Sequence, residues 1–191
     1  MRVGLLTLAI CKPAIRRTAE KGDIIIGFAA NRLYAHNCPI LIAHVTEKLD
    51  GRKYYFEPQY SNRPDCIYRW LGGQFRYRRG AKYHSKEDLP HDLGIPPQYS
   101  SAHILLSRRF RYFGEKGCRK FEDKYPHIAS KIRLLAKGHR VINLPDCLWS
   151  ELAGFASALW RCKSAYSHTP IPSDRSSFCL RNDGGSIECS R

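Results

Sequence analysis

Four side chains in this chain have the chemical character and the surroundings needed for acid–base chemistry. His84 and His103 bracket a polar stretch that also holds Asp92, and imidazole titrates near neutral pH. Asp23 follows Gly22 at the start of a predicted strand, where a carboxylate can accept hydrogen bonds. We therefore predict Asp23, His84, Asp92 and His103 as the candidate catalytic residues. The alternative is that they are ordinary turn and surface residues of a basic protein.

Positive charge is concentrated in two segments that also carry aromatic rings. Residues 69–82 contain five Lys or Arg and no acidic residue, and residues 105–120 contain six against one Glu. Guanidinium and ammonium groups neutralise phosphates, and an aromatic face can stack on a base. These segments favour a nucleic-acid or nucleotide ligand over a merely solvated basic face or an anionic membrane.

A third basic motif, CKPAIRR at residues 11–17, places Lys12, Arg16 and Arg17 where a predicted strand meets a predicted helix. Together the three motifs define the predicted binding residues. Those expected to hold phosphate are Lys12, Arg16, Arg17, Arg76, Arg78, Arg108 and Arg109. The rings expected to stack are Phe75, Tyr77, Phe110 and Tyr112, and the edge of the base is assigned to Asp23, Gln74 and Ser107.

The eight cysteines do not form a recognisable metal motif. No CxxC pair occurs, and the nearest approach to a ligand set is the loosely spaced Cys162, His168, Cys179 and Cys189. We therefore predict no metal and no cofactor, and we expect most cysteines to be reduced thiols. The sequence also lacks GxSxG, P-loop, GxGxxG and HExxH signatures.

The composition excludes several classes of protein. The chain has 191 residues, 43% of them hydrophobic, with a formal net charge of +15. That length and apolar content can build a core, which argues against wholesale disorder. No apolar run approaches the roughly 20 residues of a membrane span, and the opening residues lack a cleavage pattern. We predict a cytoplasmic protein.

The elements that must position these residues change in character along the chain. Strands are predicted at 3–10, 24–28, 40–49 and 103–114, with a short helix within 15–23. Residues 51–100 are predicted as long loops with one short strand at 74–78. Helical spacing predicts helices within 119–137 and 146–163. We therefore predict an α+β fold, a small curled sheet or barrel with C-terminal helices, forming one domain over 1–163 before a polar tail at 164–191.

Residues 7–28, TLAICKPAIRRTAEKGDIIIGF, resemble the nucleotide modification associated domain 2 family. The shared pattern is a Cys-Lys-Pro-x-Ile-Arg-Arg run, then Gly22-Asp23, then a strand containing Gly27. Segments 43–49, 85–94 and 103–114 are similar as well. The resemblance implies a role with modified nucleotides in bacteria or phages, beside DNA-modification genes. The order of strands after Gly22-Asp23 is also similar to PUA, ASCH and EVE-type barrels, an analogy of fold.

Three functions remain open at this point. The first is a PUA-like domain that binds nucleic acid or a modified nucleotide through basic and aromatic side chains. The second is an enzyme that modifies a nucleotide or base by Asp and His acid–base chemistry. The third is a basic defence or regulatory module that binds an acidic protein.

Overall fold

The structure is a computed structural model that describes residues 4–29, 38–114, 117–118, 121–134, 148–162, 166–167, 178–181 and 187–190. Its strands are β1 (Leu6–Leu8), β2 (Ile24–Phe28), β3 (Pro39–His44), β4 (Glu47–Asp50), β5 (Tyr68–Leu71), β6 (Gln74–Tyr77), β7 (His103–Ser107), β8 (Arg109–Tyr112), β9 (Tyr166–Ser167), β10 (Phe178–Arg181) and β11 (Ile187–Ser190). Its α-helices are α1 (Pro13–Thr18), α2 (Gly51–Phe56), α3 (Leu89–Leu93), α4 (Pro126–Leu134) and α5 (Trp149–Arg161). Single 3-10 turns occupy Pro58–Tyr60 and Lys86–Asp88.

The chain divides into two compact units. Unit 1 comprises Met1–Gly4, Gly22–Val45 and Arg108–Arg191, and unit 2 comprises Leu5–Lys21 and Thr46–Ser107. The single domain over 1–163 stays a prediction, as does the polar tail at 164–191, most of which lies outside the described residues.

Unit 2 contains a three-stranded antiparallel sheet in the order β1-β7-β4 and a separate β5–β6 hairpin. Its core is rich in tyrosine. Tyr54, Tyr55 and Tyr68 are almost completely buried, and Tyr55 meets Tyr68 and Phe75 edge to face. Edge-to-face packing lets large rings fill the interior with favourable ring electrostatics.

Unit 1 contains a sheet in the order β2-β3-β8-β9. Helices α4 and α5 contribute Ile128, Ile132, Phe155 and Leu159 to one apolar cluster, which also includes Ile42 of β3. The helical spacing of these apolar side chains is the pattern that predicted both helices. In this unit Cys118 and Cys162 are joined by a disulfide.

The α+β class is confirmed, and the predicted barrel needs correction. In the part of the chain that the structure describes, the sheets are open and antiparallel, and none closes into a barrel. The predicted strand 40–49 is two strands, because the chain passes at Val45 and Thr46 from pairing with β2 to pairing with β7. The segment 51–100, predicted as long loops, contains α2, the β5–β6 hairpin and α3. The two helices were not predicted because helices of five or six residues have too few turns to show a hydrophobic period. Cys11, Cys38 and Cys66 are free thiols, whereas Cys118 and Cys162 form the disulfide, so the expectation that most of the eight cysteines are reduced stays a prediction. Among the described helices, none has both the length and the apolar character needed to cross a bilayer.

His44 gives unit 1 a predicted dependence of stability on pH. Its ring stacks on Trp160, with centroids 5.1 Å apart, and burial together with nearby Arg109 lowers its pKa from 6.5 to about 4. In the unfolded chain the ring takes up a proton near pH 6.5, whereas the folded protein resists protonation until about pH 4. Stability present above pH 6.5 is therefore expected to fall by about 3 kcal/mol as the pH drops through that window. Urea unfolding of the wild type and of His44→Phe between about pH 4 and 6.5 measures this change in the free energy of unfolding. Parallel pH profiles for the two proteins would contradict the expectation.

Candidate active site

A cysteine, a histidine and an aspartate of unit 2 form a continuous hydrogen-bonded chain. The Sγ of Cys11 lies 3.0 Å from Nε2 of His84, and Nδ1 of the same ring lies 2.6 Å from Oδ2 of Asp92. Cys11 and His84 are 73 residues apart in sequence. A nucleophile, a base and a group that orients the base, in that order, are the parts of a catalytic triad.

The cysteine lies on a sharp turn between a strand and a helix. It follows β1 and precedes α1, and both Cys11 and Lys12 have positive φ, at 56° and 46°. Left-handed backbone is unfavourable for side chains other than Gly, Asn and Asp, and such strain concentrates at functional sites. The nucleophile of α/β-hydrolases occupies a comparably strained strand-to-helix turn. Cys11 is partly exposed to solvent.

Asp92 is completely buried on α3 and accepts three hydrogen bonds. Besides His84, its carboxylate accepts from the Tyr68 hydroxyl at 2.8 Å and from the backbone N–H of Cys11 at 3.0 Å. In the neutral imidazole whose Nδ1–H donates to this carboxylate, Nε2 is the acceptor that faces the Cys11 thiol. The same side chain therefore sets the tautomer of the base and the position of the nucleophile's backbone.

His84 lies in a loop, with a φ of 54°, and a second tyrosine holds it there. The Tyr77 hydroxyl donates to the carbonyl oxygen of His84 at 2.9 Å and lies 3.1 and 3.2 Å from those of Ala81 and Tyr83. Its cross-strand partner in the β5–β6 hairpin is Tyr68, which contacts Asp92. One face of the hairpin thus supports both the base and the carboxylate.

Arg16 stabilises the backbone around Cys11 and Asp92 through hydrogen bonds of its guanidinium group. Its side chain is completely buried, and its guanidinium donates to four backbone carbonyls. Those carbonyls belong to Cys11 at 2.7 Å, Ser101 at 2.7 Å, His103 at 2.9 Å and Asp92. It therefore ties the nucleophile turn, the α3 backbone and the start of β7 to one point.

Burial, reinforced by the negative charge of Asp92, raises the pKa of the Cys11 thiol above its ordinary value of 9.0. At neutral pH the Cys11 side chain is therefore a thiol rather than a preformed thiolate. Attack then requires proton removal as the new bond forms, and Nε2 of His84 is placed to accept that proton.

The described residues contain no group of three or more His, Cys, Asp or Glu arranged to hold a metal ion. In the Cys11, His84 and Asp92 chain, each ring nitrogen of the imidazole faces a different protein atom. The arrangement is that of a proton relay rather than of ligands converging on one point.

Of the four predicted catalytic residues, the structure brings His84 and Asp92 together. His103 lies on β7 of the same unit, where its carbonyl oxygen accepts from Arg16 and burial lowers the pKa of its ring. Asp23 belongs to unit 1, where its carbonyl oxygen accepts from Val45. Catalytic roles for His103 and Asp23 stay predictions.

The predicted binding residues fall into exposed and buried groups. Lys12, Arg17, Gln74, Arg76, Arg108 and Tyr112 are exposed, whereas Arg16, Phe75, Ser107 and Phe110 are buried. Arg78 is half-buried and donates to the carbonyls of Tyr68 and Ser61, and Arg109 lies over the Trp160 ring at 5.6 Å. Phosphate contact and stacking stay predictions for the exposed group. The buried group supports the fold in this structure, because burial removes it from a ligand's reach.

The residue of this candidate site that the sequence analysis missed is Cys11. A cysteine with a histidine elsewhere in the chain is a signal for a nucleophile. Here that signal was present within the CKPAIRR motif. Eight cysteines and eight histidines give too many pairs to choose among without coordinates.

Comparison with known proteins identifies one family. A family model described as nucleotide modification associated domain 2 matches residues 2–142. No curated protein and no solved structure shows a significant match to the chain.

Proposed function

The chain belongs to the nucleotide modification associated domain 2 family, and from that premise we propose that it is a cysteine-nucleophile enzyme acting on a nucleotide or a modified base. The hydrogen-bonded chain of Cys11, His84 and Asp92 is the observation that carries this proposal. The family description favours a substrate that is a nucleotide. The three hydrogen-bonded side chains favour nucleophilic catalysis by the cysteine. The reaction assigned is hydrolysis or transfer of an acyl-type group carried by the substrate.

The proposed reaction passes through a thioester on Cys11. Sγ of Cys11 attacks an electrophilic carbonyl carbon while its proton passes to Nε2 of His84. The bond to the leaving group then breaks, and the leaving group takes that proton from the imidazolium. Water, or an acceptor amine or alcohol, attacks the resulting thioester and gives its proton to His84, which returns it to the thiol as the product leaves. Asp92 stabilises the imidazolium each time His84 takes up a proton.

Recognition of a nucleic acid or a modified nucleotide is the second part of the proposal. Lys12 directly follows the nucleophile and is exposed, as is Arg17. These cations suit an anionic substrate, because ammonium and guanidinium groups neutralise phosphate. The order of β2 and β3 after Gly22-Asp23 supports a PUA-like relationship, which stays a prediction.

The test uses a small activated ester, p-nitrophenyl acetate, with the full chain. We expect a burst of about one equivalent of nitrophenolate and an acetyl group on Cys11, located by peptide mass spectrometry. Cys11→Ala is expected to abolish the burst. Cys38 and Cys66 provide internal controls, because both are buried thiols. Acetylation spread equally over the three thiols, or an unchanged burst in Cys11→Ala, would contradict the proposal.

A further inference from the structure

The β5–β6 hairpin places two arginines directly opposite each other. Arg69 pairs with Arg76 in the antiparallel register, and both side chains are exposed. Directly opposite residues have Cβ atoms about 5 Å apart, so two positive charges face each other across the strands. Like charges in this position destabilise a strand pair.

No acidic side chain offsets this repulsion in the part of the chain that the structure describes. Neither Arg69 nor Arg76 forms an ion pair there, and the segment 69–82 contains no Asp or Glu. Exposed Arg79 and Lys82 extend the positive charge along the chain toward His84. Arg78 does not join them, because its guanidinium donates to the backbone.

The two faces of the β5–β6 hairpin carry different kinds of side chain. The inner face carries Tyr68 and Tyr77, which contact Asp92 and His84 respectively. The outer face carries Arg69, Leu71, Gln74 and Arg76, since side chains alternate along each strand. An anion bound to the outer arginines is therefore separated from the Cys11 thiol by the thickness of the hairpin.

The tip of the hairpin leaves room for an extended ligand. Gly72 and Gly73 both have positive φ, at 57° and 78°, as the tight two-residue turn requires. A Cβ added at either glycine would meet nothing within 4 Å. The outer face is thus a cationic surface that ends in a turn without side chains.

We propose that this outer face binds the sugar-phosphate backbone of a nucleic-acid strand, so that the substrate is a polynucleotide rather than a free nucleotide. The inference rests on the proposed function and specifies its substrate. A phosphate contact remote from the nucleophile is useful only if the substrate extends that far, which a strand does and a mononucleotide does not. The planar guanidinium forks of Arg69 and Arg76 match phosphate oxygens in pairs of hydrogen bonds.

The experiment measures binding of the full chain to a fluorescein-labelled single-stranded DNA oligonucleotide across a salt series. The test variant is Arg69→Gln/Arg76→Gln. The matched control is Lys21→Gln/Lys131→Gln, which removes the same charge from two other exposed positions. We expect the test variant to bind about tenfold more weakly near 0.1 M salt, with a salt slope smaller by about 1.4, since each phosphate contact to a single strand contributes about 0.7. The control is expected to keep the wild-type slope to within about one half.

Equal losses of oligonucleotide affinity in the test and control variants would overturn the inference, because the effect would then come from net charge alone. Wild-type binding to heparin without binding to the oligonucleotide would overturn it in favour of an acidic partner. AMP competing as well as the oligonucleotide at equal phosphate would overturn it in favour of a free nucleotide. Binding is measured at equilibrium without turnover, so a missing ester burst at Cys11 would contradict the proposed chemistry alone.

Discussion

Replacing His84 with Asn is expected to slow acylation of Cys11 by about a thousandfold. The thiol has a raised pKa, so without the imidazole its proton must leave to solvent. The rate in the variant is then expected to follow ionisation of the thiol and to keep rising with pH beyond about pH 9, the ordinary thiol value. The wild-type rate is expected to level off at lower pH, because His84 removes the proton during attack.

The measurement is the nitrophenolate burst rate from mildly acidic to alkaline pH, with free imidazole added to the His84→Asn protein as a rescue. Glu87→Gln is the control, since Glu87 is exposed in the same segment and pairs with Lys86. Partial recovery with imidazole would show that the missing group is the base rather than a structural support. A variant that retains the wild-type rate and pH profile would rule out His84 as the base.

Asp92→Asn provides a companion test of how the base is oriented. The carboxylate accepts from His84 and Tyr68 on one oxygen and from the Cys11 backbone on the other. The Asn amide has only one oxygen to accept hydrogen bonds. Its NH₂ group must therefore face either the Nδ1–H of His84 or the backbone N–H of Cys11, which are both donors. We expect a smaller loss than in His84→Asn. The double variant is expected to be no slower than His84→Asn alone, because residues of one relay act as a unit.

Replacing Arg16 with Met is expected to lower the free energy of unfolding by about 4 kcal/mol. The substitution leaves four backbone carbonyls without their charged donor, in a part of unit 2 where the arginine itself is fully buried. Arg16→Lys is expected to recover little, because an ammonium lacks the planar fork that reaches several acceptors at once.

Urea unfolding measures this effect, and the neighbouring Arg17→Met is the matched control. Arg17 is exposed, so its replacement is expected to change the free energy of unfolding by about 0.5 kcal/mol or less. Similar losses in the two variants would show that Arg16 does not hold the nucleophile turn, the α3 backbone and β7 together.

Arg16 and Arg17 also show that residue type alone does not determine which side chain can bind a ligand. Both belong to the CKPAIRR motif, and both were predicted to hold phosphate. In the fold one is buried on carbonyl oxygens and the other is exposed. Adjacent positions on a helix point about 100° apart, so one residue of offset separates the interior from the solvent. Phe75 and Arg76 differ in the same way on a strand, where successive side chains point to opposite faces.

Features that depend on neighbours in the chain could be predicted from the sequence by itself. These are the α+β class, the strand at Ile24–Phe28, the α4 and α5 helices, and the concentration of cations at 69–82. Local periodicity, turn residues and composition determine them. The family likeness also depends on a contiguous motif, and the family match over residues 2–142 confirms it.

Only the tertiary structure decided which chemistry-bearing residues meet. Cys11, His84 and Asp92 are joined by contacts that span 73 and 81 residues of sequence, across a turn, a loop and a short helix. No periodic pattern encodes such a meeting, because it follows from how β1, the β5–β6 hairpin and α3 pack around a buried arginine and a cluster of tyrosines. A cysteine, a histidine and an aspartate lie far apart along the chain or in separate elements, and packing brings their side-chain atoms within hydrogen-bonding distance.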